Sequence, residues 1–155
     1  DILDVLDDYD CTDIVTIGGY GTGEMIEDEP DVFGVVTETD VKDRYEDLDI
    51  EFDHSVGQII GATGLLLGIG KRYGMEGIAL LGETPGFLLS DPKATEEVLH
   101  ILEDILAIDL DYDNLDQKVE EVEDVMKRIQ ELQKQAQQQG GGDEEAGGKE
   151  LGYIG

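Results

Sequence analysis

A lysine behind closely spaced glycines can hold phosphate, and this chain has one at G-L-L-L-G-I-G-K, Gly64 to Lys71. A Walker-type loop needs four residues between its glycines, so that backbone N–H groups cradle the anion, and a Ser or Thr after the lysine to hold magnesium. The spacing here differs, and Arg72 follows Lys71. A second cluster, G-G-Y-G-T-G at Gly18 to Gly23, misses the dinucleotide pattern G-x-G-x-x-G from either start, with Glu24 or Ile26 in the last position. A glycine-rich loop at a strand end can still cradle an anion through its N–H groups. Gly19, Gly21 and Thr22, with Glu83 and Thr84 of G-E-T-P-G, are the candidates for a ligand pocket where open α/β sheets bind ligands.

The other reactive residues make poor catalysts. His54 and His100 are the only histidines, and His100 falls in a helical stretch. Cys11 has Asp10 and Asp13 beside it, charges that disfavour a thiolate, so it reads as a small buried apolar residue. No G-x-S-x-G elbow occurs. Asp109, Asp111, Asp113 and Glu120 take positions 1, 3, 5 and 12 of a calcium loop, but Asn114 replaces the turn glycine and Asp116 the apolar residue. In so acidic a chain this spacing arises by chance, and Asp113 or Asn114 as a helix cap explains it without metal. The expectation is no catalytic residue, no cofactor and no metal.

Ten Lys and Arg against 39 Asp and Glu leave a formal net charge of -29. Nucleic acid and anionic membranes require a basic patch, so both are excluded as partners. Self-repulsion of this size is relieved by salt, since the Debye length falls to roughly 3 Å at 1 M, which suggests a halophilic archaeal cytoplasm. One cysteine in 155 residues fits a reducing compartment. The longest apolar run, Ile59 to Gly70, falls short of the ~20 residues that a spanning helix needs.

These residues need elements to position them. Ile2, Leu3, Val5 and Leu6 suit a short helix ending before Cys11. Ile14–Gly19 and Val32–Thr37 read as buried strands, expected to be neighbours in one sheet, and Thr39–Asp53 as a surface excursion. From Ser55 the apolar residues recur at helical spacing, and Gly57, Gly61, Gly64 and Gly68 line one ridge, expected to lie flush on the sheet. Gly74 suits the C-cap, and Ile78–Leu81 the next strand. Asp91 and Pro92 open a helix whose Val98, Ile101, Leu102 and Ile105 face the sheet. Leu115, Val119, Val122, Met126 and Ile129 form a heptad stripe on a helix from about Leu115 to Ala136, either packed on its own domain or used for association. The alternation of strands and helices gives an α/β sandwich.

Four segments taken in order, T-I-G-G-Y-G-T-G, G-Q-I-I-G-A-T-G-L-L-L-G-I-G, G-I-A-L-L-G-E-T-P-G and the D-P-K-A-T helix start, resemble the archaeal PAC2 family of proteasome-assembly-chaperone homologues over about Ile14 to Leu115. The resemblance implies a three-layer α/β/α sandwich of phosphorylase- or hydrolase-like type, without a catalytic centre. It also implies homo-oligomers that assemble the 20S proteasome or bind its α subunits, in the cytoplasm, through a flexible C-terminal tail ending in an apolar-tyrosine signal. Leu151, Tyr153 and Ile154 supply the corresponding groups, the tyrosine standing third from the end behind Gly152.

The expected organisation is an α/β domain over 1–137, a flexible low-complexity linker over 138–150 and an apolar tail peptide over 151–155. The chain opens at Asp1, inside a helical pattern, so the N-terminal part of the domain is expected to be missing. Two functions follow. One is a non-enzymatic proteasome-binding protein, in which the tail docks rather than folding back. The other is a small-molecule or nucleotide-binding protein or enzyme using the strand-end loops.

Overall fold

A computed structural model describes residues 2–52, 59, 61–88 and 90–139. The chain forms two compact units, divided in sequence between Val119 and Glu120. The first is built on a sheet of β1 (Asp13–Gly21), β2 (Val32–Val36) and β3 (Glu76–Thr84). Its order is β1-β3-β2, with β3 parallel to β1 and antiparallel to β2. The expectation that β1 and β2 pair is therefore corrected: β3 lies between them, with Leu80 opposite Ile17 on one side and Gly34 on the other. The reason is burial. Ile78, Ala79 and Leu80 form a continuous apolar run that is fully buried, which only a strand covered on both faces permits.

Each face carries its own apolar cluster, giving the three-layer α/β/α sandwich. On one face α3 (Pro92–Leu106) packs Val98, Ile101 and Ile105 against Val32, Ile78 and Leu80. On the other, α1 (Ile2–Asp8) and α2 (Ala62–Gly70) bring Leu3 and Leu67 onto Ile14, Met75 and Ala79, with Cys11 half-buried beside them. The Asp91 carboxylate accepts the Ala94 N–H at 3.1 Å and Pro92 opens α3, as their sequence positions predict. Gly74, in the left-handed region at φ 78°, ends the short 3-10 turn Lys71–Tyr73 that follows α2.

Two further expectations change. Thr39–Tyr45 is a 3-10 helix that runs over the surface, as expected, but also buries Val41 and Tyr45 in the α3-side core. Arg44 holds it in place by pairing with Asp13 at 2.8 Å and with Glu76, at the starts of β1 and β3.

The helix expected from Ser55 begins at Ala62. Gly61, just before it, has φ 91° and ψ -159°, a backbone conformation outside any helix that side chains disfavour. The glycine ridge does not lie flush on the sheet. Gly57 is outside the described residues, a Cβ on Gly64 would meet the Ile59 carbonyl, and one on Gly68 would meet nothing within 4 Å.

Close approach occurs instead at glycines of the strands. A Cβ on Gly82 would stand 2.8 Å from the Ala94 carbonyl and 3.0 Å from Val98 Cγ2 of α3, and one on Gly18 3.3 Å from Thr63 Oγ1 of α2. Side chains alternate between the faces of a strand, so one glycine opens a notch on the face where a helix must approach.

α4 (Asp113–Gln139) is one continuous helix of 27 residues, entered through Asp111, whose carboxylate accepts the Asp113 N–H at 3.0 Å. Among the described residues no helix is long and apolar enough to cross a membrane.

Candidate functional site

The parallel register sets Gly19 against Gly82 and Gly21 against Thr84, so the strand-end candidates do come together in space. Among the described residues, four of the five border two separate hollows. Gly19 and Thr84, with Ile17, Ala94, Val98 and Leu99, border an apolar hollow of about 370 Å³ beneath the start of α3. Thr22 and Glu83 border a different hollow of about 380 Å³, among Glu24, Glu27, Asp28, Glu29 and Asp31. The split follows from the pleat, which sends successive side chains of β3 to opposite faces.

The polar groups at these ends are engaged with the chain itself. The Thr22 N–H donates to the Thr84 carbonyl at 2.9 Å, and the Glu83 carboxylate accepts the Asp31 N–H at 3.2 Å. The Asp91 carboxylate accepts the Ala94 N–H in the first turn of α3, where an anion would otherwise bind. One hollow is mostly apolar and has no cation in its lining to hold phosphate, and the other repels it with carboxylates.

A cleft of about 680 Å³ in this unit is announced by no single motif. Asp28, Glu29 and Asp31 reach it from the segment before β2, Asp49 and Glu51 from the segment after the 3-10 helix, and Glu97, His100 and Asp104 from α3. Burial pushes the Glu97 carboxyl above its ordinary value, His100 opposing this and neighbouring carboxylates adding to it. The acidic run Glu27–Asp31 and the spacing of Glu97, His100 and Asp104 on one helix face were the available signals.

His100 packs its ring on Tyr112, with centroids 4.9 Å apart. Asp113 and Glu120 of the calcium-like spacing lie on a single helix, α4, instead of closing a loop around an ion. Among the described residues no three His, Cys, Asp or Glu side chains gather to hold a metal. His54 and the tail residues Leu151, Tyr153 and Ile154 lie outside the described residues.

Comparison with known proteins places this architecture. The PAC2 family model matches residues 1–130. An uncharacterized protein of Methanocaldococcus jannaschii, MJ1210, is 31% identical over 128 residues, covering 83% of this chain and 49% of that protein. Pyrococcus furiosus PbaB, described as an archaeal proteasome activator, superposes with a TM-score of 0.75 at 36% identity, covering 83% of this chain and 55% of PbaB. PbaA of the same organism, described as an archaeal homolog of proteasome-assembly chaperone, gives a TM-score of 0.70 at 26% identity, over 89% of this chain and 57% of PbaA. The chain thus spans about half the length of these relatives. With the family match running through the sheet, the helices on both of its faces and most of α4, the chain belongs to the PAC2 family.

Proposed function

We propose that this chain acts on the proteasome by binding, without chemistry of its own, as an assembly chaperone or activator-like protein. In this reading several copies form an oligomeric α/β core in the cytoplasm, and Leu151, Tyr153 and Ile154 of each copy engage α subunits of the 20S particle. The observation that carries it is the likeness to PbaB, an archaeal proteasome activator, at 36% identity and a TM-score of 0.75. The strand-end hollows support it too, because Thr22, Glu83 and Asp91 at their edges are taken up by internal hydrogen bonds. Repeating a weak docking peptide on one assembly raises its effective concentration for the second and later contacts.

Capture of 20S particles by the intact chain, set beside a chain ending at Gly142, tests this. Retention by the intact chain and loss from the shortened one is the expected result. Equal retention by both would remove the tail from the mechanism, and retention by neither would remove the proteasome.

The alternative, a small-molecule or nucleotide-binding protein or enzyme, draws on the apolar hollow of about 370 Å³ beside Gly19 and Thr84. Its lining suits an apolar group rather than a phosphate. A rise in melting temperature with small apolar ligands, abolished by Ala94→Phe, would favour that reading.

A further inference from the structure

We propose that the hollow between the ends of β1 and β3 and the start of α3 is a binding site for an uncharged bicyclic molecule that carries a hydrogen-bond acceptor. This deepens the alternative reading above and rests on it. β1 and β3 run parallel, and the chain leaves their C-terminal ends in different directions, from β1 toward β2 and from β3 into α3. Open α/β sheets hold ligands in the crevice at such ends. The register sets Gly19 beside Gly82, so neither strand places a side chain on the floor of the hollow there. A cavity of about 150 Å³ admits one benzene ring, so the hollow of about 370 Å³ takes a fused bicycle.

The lining is apolar at one end and carries hydroxyls at the other. Ile17, Val98 and Leu99 stand at the first, Thr84 and Ser90 at the second. Two polar groups beside them are already engaged: the Asp91 carboxylate accepts the Ala94 N–H at 3.1 Å, and the Thr95 hydroxyl donates to the Asp91 carbonyl at 2.7 Å. The Thr84 hydroxyl oxygen accepts the Gly86 N–H at 3.5 Å, but the hydroxyl hydrogens of Thr84 and Ser90 have no acceptor among the described residues. A ketone or ether oxygen at that end takes a hydrogen bond from them.

Charge on the ligand is disfavoured in both signs. The lining holds no Lys or Arg, and an anion would enter against the field of a chain with a net charge of -29. A cation would give up its hydration for a mostly apolar wall whose one carboxylate is already engaged. A neutral molecule is what remains.

The test uses the intact 155-residue chain in 1 M KCl, with backbone amide NMR shifts as the readout. The probes are 1-indanone, indane and indane-2-carboxylate, which share a ring system and differ in acceptor and charge. 1-Indanone should bind saturably and move the amides of Gly18, Gly19, Gly82 and Leu99. Indane-2-carboxylate should bind about tenfold more weakly than 1-indanone, or not at all. Thr84→Val with Ser90→Ala, both outside the apolar core, should weaken 1-indanone about fivefold, the worth of one hydrogen bond, and leave indane unweakened. Shifts that fall elsewhere, a carboxylate bound as well as the ketone, or a double variant that treats 1-indanone and indane alike would overturn the proposal. Failure here is separable from failure of the alternative reading: 1-indanone and indane that bind at these amides and respond alike to the double variant sink the former alone, and no binding of any probe sinks both.

Discussion

The Glu103 carboxylate accepts the Tyr112 hydroxyl at 2.7 Å, and also accepts the Leu110 N–H, tying the end of α3 to the turn that leads into α4. The turn needs such a tie, because Ala107 sits in the left-handed region at φ 51°. The Tyr112 hydrogen bond, and then the Leu110 N–H, hold the Glu103 carboxyl below its ordinary 4.5, while burial first, and Glu103 second, push the Tyr112 hydroxyl up. A carboxyl lowered in the folded state contributes stability that is present above its unfolded value and lost as pH falls through its folded value. Tyr112→Phe should therefore lower the melting temperature at pH 7, and the difference from the parent should shrink below pH 4.5. A difference that stayed constant from pH 7 to pH 3 would show that the hydroxyl acts by packing alone.

Two glycines should respond in opposite directions. Gly82→Ala drives a methyl into the Ala94 carbonyl and Val98, and should cost ~1–3 kcal/mol in urea unfolding. Gly68→Ala adds a methyl where nothing stands within 4 Å inside a helix, and should stabilise by up to ~1 kcal/mol. If Gly68→Ala proved the costlier change, α2 would have to meet the sheet through its glycines after all.

The acidic cleft makes stability depend on salt. Glu97, Asp104, Asp28, Glu29, Asp31, Asp49 and Glu51 share one hollow, so the melting temperature should rise between 0.1 and 2 M KCl as their repulsion is screened. Glu97 has a raised carboxyl in the folded state, so its ionisation opposes folding, and that penalty develops as pH climbs from the unfolded value to the folded one. Glu97→Gln should raise the low-salt melting temperature at pH 7.5, leave it nearly unchanged at pH 3.5, and flatten the salt dependence. A melting temperature indifferent to salt would separate the acidity of this chain from any adaptation to brine.

Much of the fold was legible because it depends on neighbours in the chain. Asp91 and Pro92 mark the start of α3 by cap chemistry that spans three residues, Gly74 marks the turn before β3 by its left-handed backbone, and the run Ile78–Leu81 marks a strand covered on both faces. Four ordered motifs also carried the kinship to PAC2 proteins. The tertiary structure alone decided the rest. Strand order placed β3 between β1 and β2, and the hollows on the two faces of its end took Gly19 and Thr84 on one side and Thr22 and Glu83 on the other. It also gathered carboxylates from three separate segments into one cleft. Periodicity identified glycines on a helix, but Gly82 and Gly18 on strands make the close approach of sheet to helix, and Val41 and Tyr45 were buried from a weakly patterned segment. Periods and caps record the conformation of a few consecutive residues, whereas these outcomes turn on which distant surfaces meet, a choice made by burying the most apolar strand at the centre.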